Sequence, residues 1–285
     1  MIETDYLSIY NFSNAIYGMR NPLESWTQSD SLFGIEDVDE LNLRLIETRN
    51  KWMAYNGYGN LEDCEENLDS IHWMEEASRI DDWLWNSSLL EKDGPYEVRY
   101  YFGPKDLKLA QSLIRAGADE SKFMRQIFIN IDITAPLYWW KEMDTYKVGT
   151  TSNSTSTMHK LTSDPIIFDD FSFDQENSEL SIDITQDGEY QYNVLDVTKD
   201  ILAGCEGLRQ KFVETGDKRY WRALIQLLPE SYNQTRTWTA NYAVLRNIYF
   251  ARRNHKLQEW RDFCKWIETL PYAKELICLE EKKDK

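Results

Sequence analysis

Positive charge is what this 285-residue chain is short of: 32 Lys and Arg stand against 49 Asp and Glu, a formal charge of −17. Broad, sequence-independent binding to DNA or RNA relies on neutralising phosphates with Lys and Arg, so the composition argues against it. A small anionic ligand needs only a local cluster of positive groups, which net charge does not exclude. Cysteine is also sparse. Cys64, Cys205, Cys264 and Cys278 are widely spaced, form no CxxC pair and have no histidine at a metal-binding interval, so free thiols and no metal are expected. The three histidines, His72, His159 and His255, are each expected to be structural or solvated, and His159 has the best case for a role because it closes a hydroxyl-rich run. A G-x-S-x-G elbow, a G-x-x-x-x-G-K-S/T loop and an H-E-x-x-H pair are all missing, which removes the familiar catalytic signatures. No apolar run approaches membrane-spanning length, and MIETDYLSIY carries no basic segment followed by an apolar core, so no membrane partner and a cytoplasmic location are expected. Without a repeat or a Gly/Ser linker, residues 1–285 read as a single domain.

What is present is enough apolar surface for a real core, 42% hydrophobic with 14% aromatic residues. The most informative stretch is Ala135 to Lys160, APLYWWKEMDTYKVGTTSNSTSTMHK. Before it, IFINIDIT (Ile127 to Thr134) alternates apolar and polar residues with β-branched enrichment and predicts a strand with one buried face. Pro136 then suits the first turn of a helix, where no amide hydrogen is needed. TTSNSTST has two readings, a solvated Ser/Thr loop or a cradle of small donors. Its place at the end of a strand and helix favours donors that meet a phosphate or a base edge.

Elsewhere the pattern predicts helices at about Ser13–Arg20, Val38–Tyr55, Leu68–Trp85 and Lys105–Arg115, the last stopped by Gly117. Trp73, Trp83 and Trp85 read as core or subunit-interface residues, since the charges around them are mostly acidic. YEVRYYF reads as a strand, and residues 166–197 as short strands with a hairpin turn at Asp187-Gly188. Helices follow at Val197–Glu214, Lys218–Leu227, Thr237–Arg252 and His255–Thr269. The fold class is therefore α+β, with a central mixed or antiparallel sheet and long helices.

Within TWTANYAVLRNIYFAR, Trp238, Tyr242, Leu245 and Tyr249 form a ridge at helical spacing expected to pack into the core. Asn241 and Arg252, eleven positions apart, are expected on nearly one side of that helix, with Asn247 elsewhere and able to reach the same ligand only across a subunit boundary. Arg252 opens an unusually basic run with Arg253, Asn254, His255 and Lys256, and arginine can grip a phosphate bidentately.

These residues resemble the flavin-dependent thymidylate synthases. That family has a strand leading into an Ala-Pro helix, then R-H-R, and after seven residues S-G-R-Y. IFINIDITAPLYWWKEMDTYKVGTTSNSTSTMHKL lies on that pattern without a gap, Thr145-Tyr146-Lys147 falling on R-H-R and Thr155-Ser156-Thr157-Met158 on S-G-R-Y. LLPESYNQTRTWTANYAVLRNIYFAR is similar to the family's LP segment and W-T-x-N helix and retains Asn241, Asn247 and Arg252. NFSNAIYGMRNP resembles its first helix, and the similarity touches about half the chain. There are departures. The family's signature arginines give way to Thr145 and Lys147, its phosphate-holding glutamine to Glu142, its phosphate arginine to Thr157 and a further arginine to Ile225, with Arg222 one turn away. Threonine in place of a guanidinium removes charge-assisted bonds worth on the order of 1.5–3 kcal/mol each.

The resemblance implies a thymidylate synthase-like fold with an added helical region at 36–100. It also implies a homo-oligomer, as in the family's tetramer, with sites shared between subunits. It further implies a flavoenzyme acting on dUMP or a related pyrimidine nucleotide, with FAD, a folate one-carbon donor and NADPH. Arg252 would bind and polarise the base, and Asn241, Asn247, Tyr146 and Lys147 would meet the cofactor. Glu142, Asn153, Thr155, Ser156 and Thr157 would meet the substrate. The alternative on the same scaffold is a non-catalytic nucleotide-binding or sequestering protein. A purely structural or partner-binding protein is a third reading, drawn from the tryptophan-rich segment.

Overall fold

The computed structural model describes residues 2–33, 100–183 and 190–280. The helices expected at 38–55 and 68–85, their tryptophans and the Asp187-Gly188 turn lie outside the described residues, as does the 36–100 addition apart from Tyr100. Contacts divide the chain into two compact units, residues 1–7 with 128–278, and residues 8–127 with 279–285.

The first unit is built on a four-stranded sheet. Its strands are β1 (Glu3–Tyr10, of which residues 3–7 belong here), β4 (Phe128–Pro136), β5 (Thr151–Ser154) and β8 (Asn233–Asn241), in the order β1-β4-β8-β5. β8 runs antiparallel to both β4 and β5. Alternation gives this sheet two different faces. Ile129, Ile131, Ile133, Trp238 and Ala240 are buried on one, against Trp139, Trp140, Trp260 and Phe263. The other is hydrogen-bonded across the strands: Thr134 Oγ1 lies 2.6 Å from Thr235 Oγ1, and Thr237 and Thr239 donate to Asp132 and Asn130 at 2.5 and 2.8 Å.

Two expectations are corrected here. Residues 237–241 are strand, not helix, because TRTWTAN alternates threonine with Arg, Trp and Ala at the two-residue period of a strand. The helix expected from Thr237 therefore starts at Tyr242, and the Trp238-to-Tyr249 ridge is a strand residue followed by a helix face, all of it buried. Pro136 sits in β4, opposite Asn233, and serves as N-cap rather than as a first-turn residue. The hydroxyl cluster likewise contains a strand, β5, whose four residues are exposed.

α5 (Val194–Thr215) and α6 (Lys218–Leu227) form a helical pair in this unit, after α3 (Leu137–Met143) and the short α4 (Thr157–Lys160). Gly216 ends α5 with φ 68°, a left-handed turn that glycine takes without steric cost. Leu202, Cys205 and Leu224 bury against Leu161, Ile166 and Phe171. β6 (Ser181–Asp183) and β7 (Gln191–Asn193) pair antiparallel just before α5.

An ionic clasp ties α5 to the segment before Phe171. Glu206 takes two bonds from Arg209, at 2.7 Å each, and accepts from the Ile166 N–H at 2.9 Å. The Arg209 guanidinium, aided by Ile166 and Gln210 and opposed by burial, holds the Glu206 carboxyl well down, to about 2. A folded value below the ordinary 4.5 means that the stabilisation is fully present above about pH 4.5 and is lost as pH falls toward 2. Urea midpoints should fall across that window. Glu206→Gln should remove its share of the fall, and an unchanged pH profile would contradict the clasp.

The second unit holds α1 (Phe12–Gly18), the paired two-residue strands β2 (Leu32–Phe33) and β3 (Tyr100–Tyr101), helix α2 (Pro104–Ala116) and a buried ion pair. Asp106, fully buried, accepts from Arg20 Nε at 2.5 Å, from the Ser29 and Ser31 hydroxyls at 2.6 Å each and from the Ser31 N–H at 3.2 Å. Asp30 receives the free N–H groups of Lys105 and Asp106 at the start of α2.

Candidate functional site

The site lies in the first unit, where the segment from α3 to α4 meets β8, α7 (Tyr242–Arg252) and α8 (Gln258–Glu268). α3 is seated by its first two N–H groups, which donate to the Tyr232 and Glu230 carbonyls at 3.0 and 3.1 Å. Trp139 and Trp140 anchor its buried side, and the Trp140 indole donates to the Gln234 carbonyl at 2.9 Å. Tyr138 donates to the buried Glu259, which holds α8 against α3, and burial with that contact pushes the Tyr138 phenol up. Glu142 is thereby presented near the exit of α3.

Arg252, in the last turn of α7, closes the cluster. Its Nε donates to Tyr146 Oη at 2.9 Å and its Nη1 lies 3.3 Å from Glu142 Oε1. The guanidinium lies 4.8 Å from the ring centre of Trp260 and 5.7 Å from that of Tyr146. Trp260 is fully buried, and its indole N–H donates to Glu142 Oε2. His255 Nε2 stands 3.7 Å from the same oxygen, while His255 Nδ1 accepts from the Leu257 N–H.

A second chain of contacts leads to the hydroxyl cluster. Asp144, capping α3, takes Arg236 Nη1 at 2.7 Å, and Arg236 Nε donates to Gln234 Oε1 at 2.9 Å. Gln234 Nε2 donates to the Thr155 carbonyl at 2.8 Å and to Thr157 Oγ1 at 3.3 Å. The core-facing side of β8 thus fixes the start of α4, where Ser156 Oγ accepts from the His159 N–H.

Asn241 is the N-cap of α7, its Oδ1 accepting from the Val244 N–H at 3.0 Å. Its Nδ2 lies where a Cβ on Gly149 would come within 2.9 Å, and Gly149 has φ 76°, so both space and backbone require glycine there. Asn241 is thus the last residue of β8, with extended backbone (φ −135°, ψ 167°), and not a member of the helix that carries Arg252, which lies about 16 Å further along at 1.5 Å per residue. Each touches a different part of one strap, the segment from Glu142 to Thr157: Arg252 reaches Glu142 and Tyr146, and Asn241 reaches Gly149.

Of the residues picked out from sequence, Glu142, Tyr146 and Arg252 are in direct contact, and Thr155 and Thr157 share Gln234. Lys147, Asn153 and Asn247 are exposed. Trp260, Gln234, Arg236 and Asp144 were missed. The alternation of Gln234, Arg236 and Trp238 would have exposed two of them, had β8 been read as a strand. Among the described residues no group of three or more His, Cys, Asp or Glu side chains is placed to hold a metal, and no helix is long and apolar enough to cross a membrane. Cys205, Cys264 and Cys278 are free thiols, and Cys64 lies outside the described residues.

No family model matches the sequence, and no curated protein matches it. Solved structures do. Thymidylate synthase X from Helicobacter pylori, crystallised with FAD and dUMP, is 15% identical over 97% of this chain and 97% of its own, with a TM-score of 0.51. A UMP/dUMP methylase, PolB from Streptomyces cacaoi, bound with 5-Br dUMP, is 15% identical over 62% of this chain and 81% of its own, with a TM-score of 0.45. At that identity the first likeness establishes the fold: this chain is α+β, with an antiparallel sheet and long helices, in the arrangement of thymidylate synthase X.

Proposed function

We propose that this chain is a flavin-dependent, thymidylate synthase-like enzyme acting on a pyrimidine deoxynucleotide, dUMP or a related nucleotide, by reductive one-carbon transfer. The observation that carries the reading is the meeting of two distant segments: the strap from Glu142 to Thr157 is bonded to the β8–α7 segment at both ends, through Arg252 and through Gln234. In this reading Arg252 binds and polarises the base, while the neutral donors of Thr155, Ser156 and Thr157, with Asn153 beside them, take the phosphate.

The donors this reading assigns to the cofactor, Tyr146 and Lys147 on the strap and Asn247 on α7, are of kinds that FAD can use. An exposed ammonium on Lys147 suits a pyrophosphate, an exposed amide on Asn247 suits the polar edge of a flavin, and the Tyr146 ring offers a face. Asn241 acts through the loop it braces at Gly149. Bound FAD supplies hydride, with a folate as one-carbon donor and NADPH as the source of reducing equivalents. The protein's own part is to orient the ring and hold it against Arg252. A homotetramer in the cytoplasm completes the reading, with Asn247 facing a neighbouring subunit's ligand.

One observation favours a non-catalytic nucleotide-binding protein instead: Thr145, whose hydroxyl is turned back onto the Glu142 carbonyl at 2.7 Å, offers no charge where the resemblance places an arginine. An absorbance spectrum of the purified protein and thermal shifts with FAD and dUMP separate the two. A ligand at one hundred times its Kd stabilises by about 2.7 kcal/mol. Flavin absorbance with shifts for both ligands is the expected result. A shift with dUMP alone supports the binding protein, and no shift with any nucleotide removes both readings.

A further inference from the structure

Arg252 already has an anion. Glu142 Oε1 lies 3.3 Å from its Nη1, and Glu142 Oε2 accepts from Trp260 with His255 Nε2 at 3.7 Å. Trp260 serves both members of the pair, donating its N–H to the carboxylate and placing its ring 4.8 Å from the guanidinium carbon. The Leu257 N–H on His255 Nδ1 leaves the proton of a neutral imidazole on Nε2, the edge nearest Glu142. The other guanidinium tied to this strap, Arg236, is answered by Asp144. At contact range, then, one carboxylate answers the Arg252 guanidinium. A phosphate or carboxylate entering there would meet a fixed carboxylate at hydrogen-bond range, and like charges so placed repel.

Hydrogen-bonding capacity nevertheless remains. A guanidinium carries five N–H donors, and Arg252 spends two nitrogens on Tyr146 and Glu142. Glu142 is 38% exposed, and a carboxylate has about four acceptor sites. A donor beside an acceptor, with no net charge, is the complement of a –CO–NH– unit. Arginine meets the carbonyl and glutamate the N–H, as these side chains do at base edges.

We propose that Glu142 is the specificity-determining residue of this site. As a built-in counter-ion it bars phosphate and carboxylate groups from Arg252, and with Arg252 it reads the neutral imide edge of a pyrimidine base. The imide half rests on the nucleotide reading above; the exclusion of anions does not.

Isothermal titration of the 285-residue chain with inorganic phosphate and with 2′-deoxyuridine tests both halves. Wild type should show no phosphate binding that depends on Arg252. Glu142→Gln should gain phosphate affinity by at least about tenfold, and a second change, Arg252→Gln, should abolish the gain. Deoxyuridine affinity should fall about fivefold in Glu142→Gln. Phosphate binding by the wild type that Arg252→Gln removes, or no gain in Glu142→Gln, overturns the exclusion. Deoxyuridine affinity unchanged in Glu142→Gln overturns the imide half. Deoxyuridine binding to none of the proteins overturns the nucleotide reading itself, and the phosphate titrations still decide the role of Glu142. Should Glu142→Gln fail to fold, wild type against Arg252→Gln decides alone: equal indifference to phosphate supports the proposal, and Arg252-dependent binding overturns it.

Discussion

Asp106→Ala should destabilise the second unit by about 3–5 kcal/mol, the cost of removing one partner from a buried ion pair. Arg20 is only 5% exposed, so its guanidinium would remain desolvated without its carboxylate. Two serine hydroxyls and a backbone N–H would lose their acceptor at the same time. Urea denaturation followed by fluorescence should therefore show a large drop in midpoint. Replacing both charges together, as Arg20→Met with Asp106→Leu, should cost much less, because no buried charge is left unpaired. A cost under about 1 kcal/mol for Asp106→Ala would mean that solvent reaches the pair.

Arg252→Ala should weaken nucleotide binding by about 10- to 150-fold, and Arg253→Ala by far less. The range corresponds to a charge-assisted hydrogen bond of about 1.5–3 kcal/mol. Sequence places the two arginines side by side, but their surroundings differ. Arg252 is turned to Tyr146, Glu142 and Trp260, whereas the Arg253 guanidinium lies 4.9 Å from the Phe250 ring centre and 5.7 Å from that of Tyr249. Equal losses in titration calorimetry would undo the assignment of Arg252 to the site.

The elements legible in the sequence are those whose period is unambiguous. α6 matches its expected span at Lys218–Leu227, α2 and α5 fall within three residues of theirs, and Gly117 and Gly216 cap them as read. β8 was misread because Trp238, Tyr242, Leu245 and Tyr249 also fit a helical spacing, so the short apolar ridge satisfied two periods at once. Pairing with β4 decides it, and pairing is a long-range fact that a local pattern does not carry. That error had a cost at the site. A helical Asn241 shares a side with Arg252, whereas the real Asn241 caps the helix and props Gly149. Trp260 escaped notice for a different reason: on an amphipathic helix a buried tryptophan looks like core, and only the fold shows its N–H reaching Glu142.

β5 bears on behaviour at high concentration. Among the described residues it ends the order of the sheet, four residues long, and carries only Thr, Ser, Asn and Ser. An outermost strand offers its unpaired backbone to any passing chain, and a long greasy one would template fibrils. Brevity and alcohol side chains make this rim a poor template, so it can stay open to water without inviting a second chain to pair.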